Sequence, residues 1–114
     1  MKKILVTGFC LLMLSSCTTE KTLYSWYNYQ ETSYQYNKKQ TPEAAEKLLA
    51  NYKLIIEKQK ATRKTVPPGI CAENGYMLIK AGKTEEGVIL LKKEAELYPE
   101  SKTFIERIIQ QTEK

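Results

Sequence analysis

The groups able to do chemistry are few in kind. All thirteen acidic residues are glutamates, three residues are cysteines, and the chain of 114 residues holds neither histidine nor aspartate. Catalysis of the Ser-His-Asp or Cys-His type therefore lacks its base. Zinc sites built from imidazole and thiolate lack their ligands. No glycine-rich phosphate loop occurs. An acid–base pair would have to come from Glu73, Glu85 and Glu86. The last two suit the first turn of a helix, where carboxylates favour the positive end of the dipole. The expectation is a protein that is not an enzyme and uses no cofactor and no metal.

The chemistry that remains belongs to the cysteines. Lys2 and Lys3 precede an apolar run over residues 4–14. A spanning helix needs about 20 apolar residues, so this run suits the core of a removable signal peptide. It stops at Leu14-Ser15-Ser16-Cys17, which resembles the lipobox of bacterial lipoproteins. The resemblance implies cleavage before Cys17, diacylation of its sulfur and acylation of its new amine, palmitate being the usual kind of chain. An ordinary signal peptide with a chance cysteine is the plainer alternative. Several acyl chains anchor a protein stably where one does not. Thr18 rather than aspartate follows the cysteine, which in enteric-type bacteria implies sorting to the outer membrane. Cys10 leaves with residues 1–16. Cys71 lies alone in an apolar helical stripe and reads as a buried small hydrophobe, since nothing nearby activates its thiol.

Loss of residues 1–16 leaves sixteen basic residues against thirteen acidic ones, a net charge of +3. That balance argues nothing for nucleic acid and is compatible with lying near anionic lipid. The remaining chain suffices for one small domain. Residues 17–23 are the modified cysteine and a short linker, "TTEKTL", and residues 24–114 the domain. Six extended residues reach about 20 Å, so the domain is expected close to the bilayer.

The elements that must position these groups read as helices. Residues 24–36, "YSWYNYQETSYQY", hold five tyrosines and the single tryptophan. A helix would gather Trp26, Tyr29 and Tyr36 on one stripe and Tyr27 and Tyr34 on another. Packing between helices and a membrane or partner surface are both open to them. "NKKQT" reads as a turn, Thr41 as an N-cap and Pro42 as a first helical residue. Ala44, Ala45, Leu48, Leu49, Tyr52, Ile55 and Ile56 then recur at helical spacing to about Lys60. Lys58, Lys60, Arg63 and Lys64 crowd the end of that helix, where they suit its dipole as a solvated terminus; lipid-headgroup contact is the second reading. "TVPPG" breaks the chain. A helix over residues 70–81 ends at Gly82, Thr84 caps a helix over residues 85–98, and Ser101 caps the last one, which carries Phe104, Ile105, Ile108 and Ile109. Val88, Leu91, Ala95 and Tyr98 mark one stripe of the 85–98 helix, and Leu90 and Leu97 a second, so it is expected to pack on two sides. No segment reads as a strand.

Two resemblances extend this reading. Residues 68–101 resemble a tetratricopeptide repeat through Gly75, Gly87 and Pro99, with Cys71, Leu78 and Leu91 at other core positions. Glu94 stands where the repeat usually has alanine. The resemblance implies an all-α fold, a short tetratricopeptide-like α-solenoid of about two helix pairs plus a C-terminal helix. The chain also resembles a family of small bacterial lipoproteins of unknown function, through "LYSWYNYQETSYQY", "VPPGICAENGYMLIKAGKTEEG" and "LYPESKTFIERII". In that family glycine usually follows the tryptophan; here it is Tyr27. Such proteins are often encoded beside a curli-secretion-type outer-membrane lipoprotein and a second small lipoprotein, which implies a three-component envelope assembly.

The expected function is therefore a scaffold or assembly adaptor, lipid-anchored at the outer membrane and facing the periplasm. Its partner would be another envelope lipoprotein or a secretion-pore protein. Trp26, Tyr29, Tyr34 and the groove of the 70–98 hairpin are the candidate contacts. The alternative is a periplasmic module that binds an extended peptide or a cell-wall fragment.

Overall fold

The structure is a computed structural model, and it describes residues 22–114. The signal-peptide and Cys17 expectations lie outside the described residues. Among those residues the fold is all-α, with five α-helices: α1 (Tyr29–Lys39), α2 (Pro42–Glu57), α3 (Ile70–Lys80), α4 (Thr84–Leu97) and α5 (Lys102–Thr112). A single 3-10 turn, Pro99–Ser101, leads into α5.

Local chemistry sets the ends of these helices. Gln40 adopts a left-handed conformation (φ 49°) and its N–H bonds Tyr36 O, which terminates α1. Helix therefore runs through Asn37, Lys38 and Lys39, and the turn is confined to Gln40 and Thr41. Pro42 opens α2, and Thr41 Oγ1 accepts the N–H of Ala44 at 3.2 Å. Val66-Pro67-Pro68 cannot continue a helix, and Gly69 (φ 92°) turns the chain into α3. At the far end of α3, Gly82 (φ 87°) donates to Ile79 O, and Lys83 N–H donates to Leu78 O. That pair of bonds is a Schellman motif, which consumes carbonyls a helix end leaves unpaired.

Two expected caps are not made. Thr84 is already the first residue of α4 and offers no side-chain cap. Ser101 has helical dihedrals, and its hydroxyl donates back to Tyr98 O at 2.7 Å instead of accepting from α5. The 3-10 turn started by Pro99 does the work of the cap.

Each helix packs on its chain neighbour, α1 on α2, α2 on α3, α3 on α4 and α4 on α5. The core cluster comprises Leu48, Tyr52 and Ile55 of α2, Val66 of the connection, and Ile70 and Cys71 of α3, with Tyr29 and Tyr36 of α1 laid against it. α3 and α4 approach through glycine. A Cβ added at Gly75 would fall 2.6 Å from Gly87 O, and one at Gly87 would fall 2.5 Å from Gly75 O. Backbone thus touches backbone, and Leu91 is sealed beside the contact. α4 packs on two sides, against α3 and against α5, where Ile105 is buried; the side toward α5 carries Ala95 of the first expected stripe, while Leu97 of the second stays exposed.

Candidate functional site

The aromatic segment ahead of α1 is not helical. Helix begins only at Tyr29, and residues 22–28 run as bends, a turn and irregular backbone. The reason lies in what these residues bond. Thr62 N–H donates to Thr22 O at 3.3 Å, and Arg63 N–H to Leu23 O at 3.1 Å. Ser25 Oγ accepts the N–H groups of Lys60 and Ala61, each at 3.1 Å. The Gln59 amide brackets Ser25, accepting from its N–H and donating to its carbonyl, both at 2.8 Å. Buried Asn51 accepts from Asn28 N–H at 2.9 Å and donates to Trp26 O at 3.4 Å. The Tyr27 hydroxyl donates to Lys58 O. A helix over residues 24–28 would forfeit this set, so the segment is stitched to the loop between α2 and α3.

That stitching also corrects the reading of the basic residues. α2 ends at Glu57 and has no basic residue in its last turn. Lys58 is the C-cap of α2, its N–H bonded to Leu54 O, and stays at the negative end of the helix, whereas Lys60, Arg63 and Lys64 belong to the loop, away from the helix end. All four are exposed. The Arg63 guanidinium lies 5.8 Å from the centre of the Tyr24 ring, within cation–π range.

The aromatic rings form a chain from surface to core. Tyr24 and Trp26 meet edge to face at 6.2 Å, Trp26 and Tyr29 at 5.4 Å, and Tyr29 and Tyr52 at 6.1 Å. Trp26 is 40% exposed, Tyr29 is half-buried and Tyr52 is buried. One carboxylate closes the inner end. Glu73 Oε2 accepts the hydroxyl of Tyr29 at 2.8 Å and that of Tyr52 at 3.0 Å. Burial, with the adjoining carboxylate, pushes the Tyr29 phenol up to about 12 and the Tyr52 phenol higher still. Both hydroxyls stay protonated donors, and Glu73 ties α1, α2 and α3 together. Glu85 and Glu86 lie in the first turn of α4, past the turn that closes the far end of α3, so the three glutamates share no site.

Of the candidate contacts, the fold brings Trp26 and Tyr29 together and sets Tyr34 apart. Tyr34 points outward and is 56% exposed, with the Lys38 ammonium 5.7 Å from its ring centre. It lines a shallow depression of about 350 Å³ with Tyr27, Asn28, Gln30 and Glu31. A neighbouring depression of about 460 Å³ shares Tyr27 and Asn28 and is floored by Ala50, Asn51 and Leu54 of α2. The 70–98 hairpin is closed between its own helices by the glycine contact; the hollow beside it lies between α4 and α5, lined by Ala95, Ile105 and Ile109 with a charged rim.

Two further residues matter. Cys71 is fully buried, and burial is the main cause that pushes its thiol up to about 11. Glu94 is also buried, and its Oε1 accepts the N–H of Gly69 at 2.7 Å, at the positive end of α3. A carboxylate where the repeat pattern has alanine thus braces the adjoining helix start. Sequence reasoning missed Asn51 and Gln59. For Asn51 the signal was available: a polar side chain on the stripe of Leu48, Tyr52 and Ile55, which must bond something if buried.

No group of three side chains able to hold a metal occurs among the described residues, and none of their helices is long and apolar enough to cross a membrane. The fold and its surfaces define a small all-α domain built of sequentially packed helices. The chain belongs to the family described as a domain of unknown function, DUF4810, whose family model matches residues 23–108. The match spans the stitched aromatic segment and nearly all of the helices. No curated protein and no solved structure matches the chain.

Proposed function

We propose that the protein is a bacterial lipoprotein, anchored through Cys17 at the outer membrane and facing the periplasm, whose tetratricopeptide-like domain is an adaptor holding a partner protein. The observation that carries this reading is the outward surface formed by Tyr27 just ahead of α1, Tyr34 on α1 and Leu54 on α2. Tyr27, Tyr34 and Leu54 are exposed there around two adjoining depressions, while Tyr29 and Tyr36 already fill the inner face of α1. Tyrosines that are apolar in body and polar at the tip suit interfaces that form on a water-facing surface. We assign the contact to Tyr34 and Tyr27, which line the two depressions, and not to Trp26, which lines neither; Tyr29 is committed to Glu73. The resemblance to lipoproteins encoded beside a curli-secretion-type component suggests an envelope assembly as the setting.

A photo-crosslinking amino acid at Tyr34 of the full chain in cells tests the reading. One dominant protein adduct, lost in a Tyr27→Ala variant that keeps its helical circular dichroism, is expected. Adducts found instead from Lys92, on the rim of the α4–α5 hollow, would favour the alternative. That hollow of about 410 Å³ is the feature a bound peptide would use.

A further inference from the structure

We propose that the α2–α3 loop, together with Leu23 and Trp26, is a face that lies on an anionic bilayer. This inference rests on the reading of Cys17 as a lipid anchor and adds the orientation of the domain. It starts from the stitched segment. Thr22 and Leu23 are hydrogen-bonded to Thr62 and Arg63, and Cys17 is five residues before Thr22. Five extended residues reach about 17 Å. An acylated Cys17 thus holds this loop, out of all the surface, within that distance of the headgroups.

The chemistry of the loop matches that position. Lys58, Lys60, Arg63 and Lys64 fall within seven residues, all exposed. No acidic residue occurs in residues 58–69, nor in the facing stretch 22–30. Glu57 flanks the loop and Glu94 meets Gly69 at its far end, but none of the four basic groups forms an ion pair with a described residue. Beside the loop stand two exposed apolar side chains, Leu23 at 53% and Trp26. Tryptophan favours the headgroup level, where its ring is half immersed and its N–H stays wet. Basic residues flanked by a tryptophan and a leucine are a combination that anionic phospholipid recognises by charge first and apolar contact second. The partner surface around Tyr34 and Leu54 is left free for protein.

Trp26 is the only tryptophan in the chain and is therefore its own probe. The full mature chain, purified from membranes, would be placed in vesicles carrying brominated acyl chains. One set would be phosphatidylcholine alone, the other an equimolar mixture with phosphatidylglycerol. Quenching of Trp26 fluorescence is expected in the anionic vesicles, weak in the neutral ones, and relieved by high salt. A Lys58→Gln, Lys60→Gln, Lys64→Gln variant, unchanged in circular dichroism, should lower the ratio of docked to undocked protein by about fivefold per charge, so about a hundredfold in all. Equal quenching in both vesicle types, or none in either, overturns the proposal, as does a variant that docks like the parent. The mass of the N-terminal peptide decides the anchor separately. A lipid-bearing Cys17 with an unquenched Trp26 refutes the face and keeps the anchor; an unmodified Cys17 with charge-dependent quenching does the reverse.

Discussion

Alanine in place of Gly75 should destabilise the protein, although glycine in the middle of a helix is ordinarily worth replacing. In an exposed helix the exchange gains about 1 kcal/mol, because glycine spends more backbone entropy on folding. Here the new Cβ would fall 2.6 Å from Gly87 O and 3.2 Å from Leu91 Cγ. A relaxed carbon–oxygen contact is about 3.3 Å, so α3 and α4 must part by roughly 0.7 Å. A gap of that size forfeits about a quarter to a half of the dispersion energy along the seam, where Cys71 and Leu91 are fully buried. Overpacking and separation together cost about 2–4 kcal/mol, leaving a net loss of about 1–3 kcal/mol. With a urea slope of about 1–2 kcal/mol/M, the unfolding midpoint followed by circular dichroism should fall by about 0.5–3 M. Gly87→Ala should behave alike, since its Cβ meets Gly75 O at 2.5 Å and Ile79 Cγ1 at 2.6 Å. The double variant should lose little more than either single one, because one separation makes room for both methyls. A midpoint that rises in Gly75→Ala, or losses that simply add, would refute the backbone contact.

Three other outcomes follow from the geometry. Tyr27 has a left-handed backbone, φ 50°, so Tyr27→Gly should be more stable than Tyr27→Ala by about 1 kcal/mol in urea unfolding; both lose the bond to Lys58 O, and only the backbone differs. Cys71 should resist a thiol reagent at mildly alkaline pH in the folded chain and react once urea unfolds it, since its thiol is buried and titrates near about 11; fast labelling without unfolding would contradict the core packing. The Tyr29 phenol is raised from 10.0 to about 12. Its folded form therefore holds a proton that the unfolded chain has released between those values, and stability should fall with rising pH across that window. Unfolding midpoints should drop there in the parent and less so in Tyr29→Phe.

The helices from α2 onward were legible because their signals are local. Thr41-Pro42 opens α2, Pro67-Pro68-Gly69 separates α2 from α3, and Gly82 ends α3, each through its own backbone preference. Spacing alone put Leu48, Tyr52, Ile55, Cys71 and Leu91 on inner faces; it grouped Phe104 with Ile105, of which only Ile105 is buried. The glycine pair at 75 and 87 was visible through the repeat pattern, although only the fold shows oxygen against Cα. The start of α1 was not legible. Tyr and Trp suit several conformations, and what holds residues 22–28 out of a helix is bonded 23–40 residues away, at Asn51 and Gln59 to Arg63. Periodicity carries no information at that range. The same distance hid the bonds that set the loop's basic residues beside residues 22–28, although lipid-headgroup contact was already a second reading of those residues.

The stitch between residues 22–28 and the α2–α3 loop also decides how the domain bears tension. A pull on the chain ahead of Thr22 does not arrive first at α1. It meets the bonds of Thr22 and Leu23 to Thr62 and Arg63, then Ser25 with Gln59, Lys60 and Ala61, then Asn28 with Asn51. The load passes into the junction of α2 and α3, where Val66 and Ile70 are rooted in the core. Only after these bonds have opened in turn can the first helix be peeled away. A tether attached upstream would thus grip the domain by its middle, and shear at the surface would reach the outermost helix last.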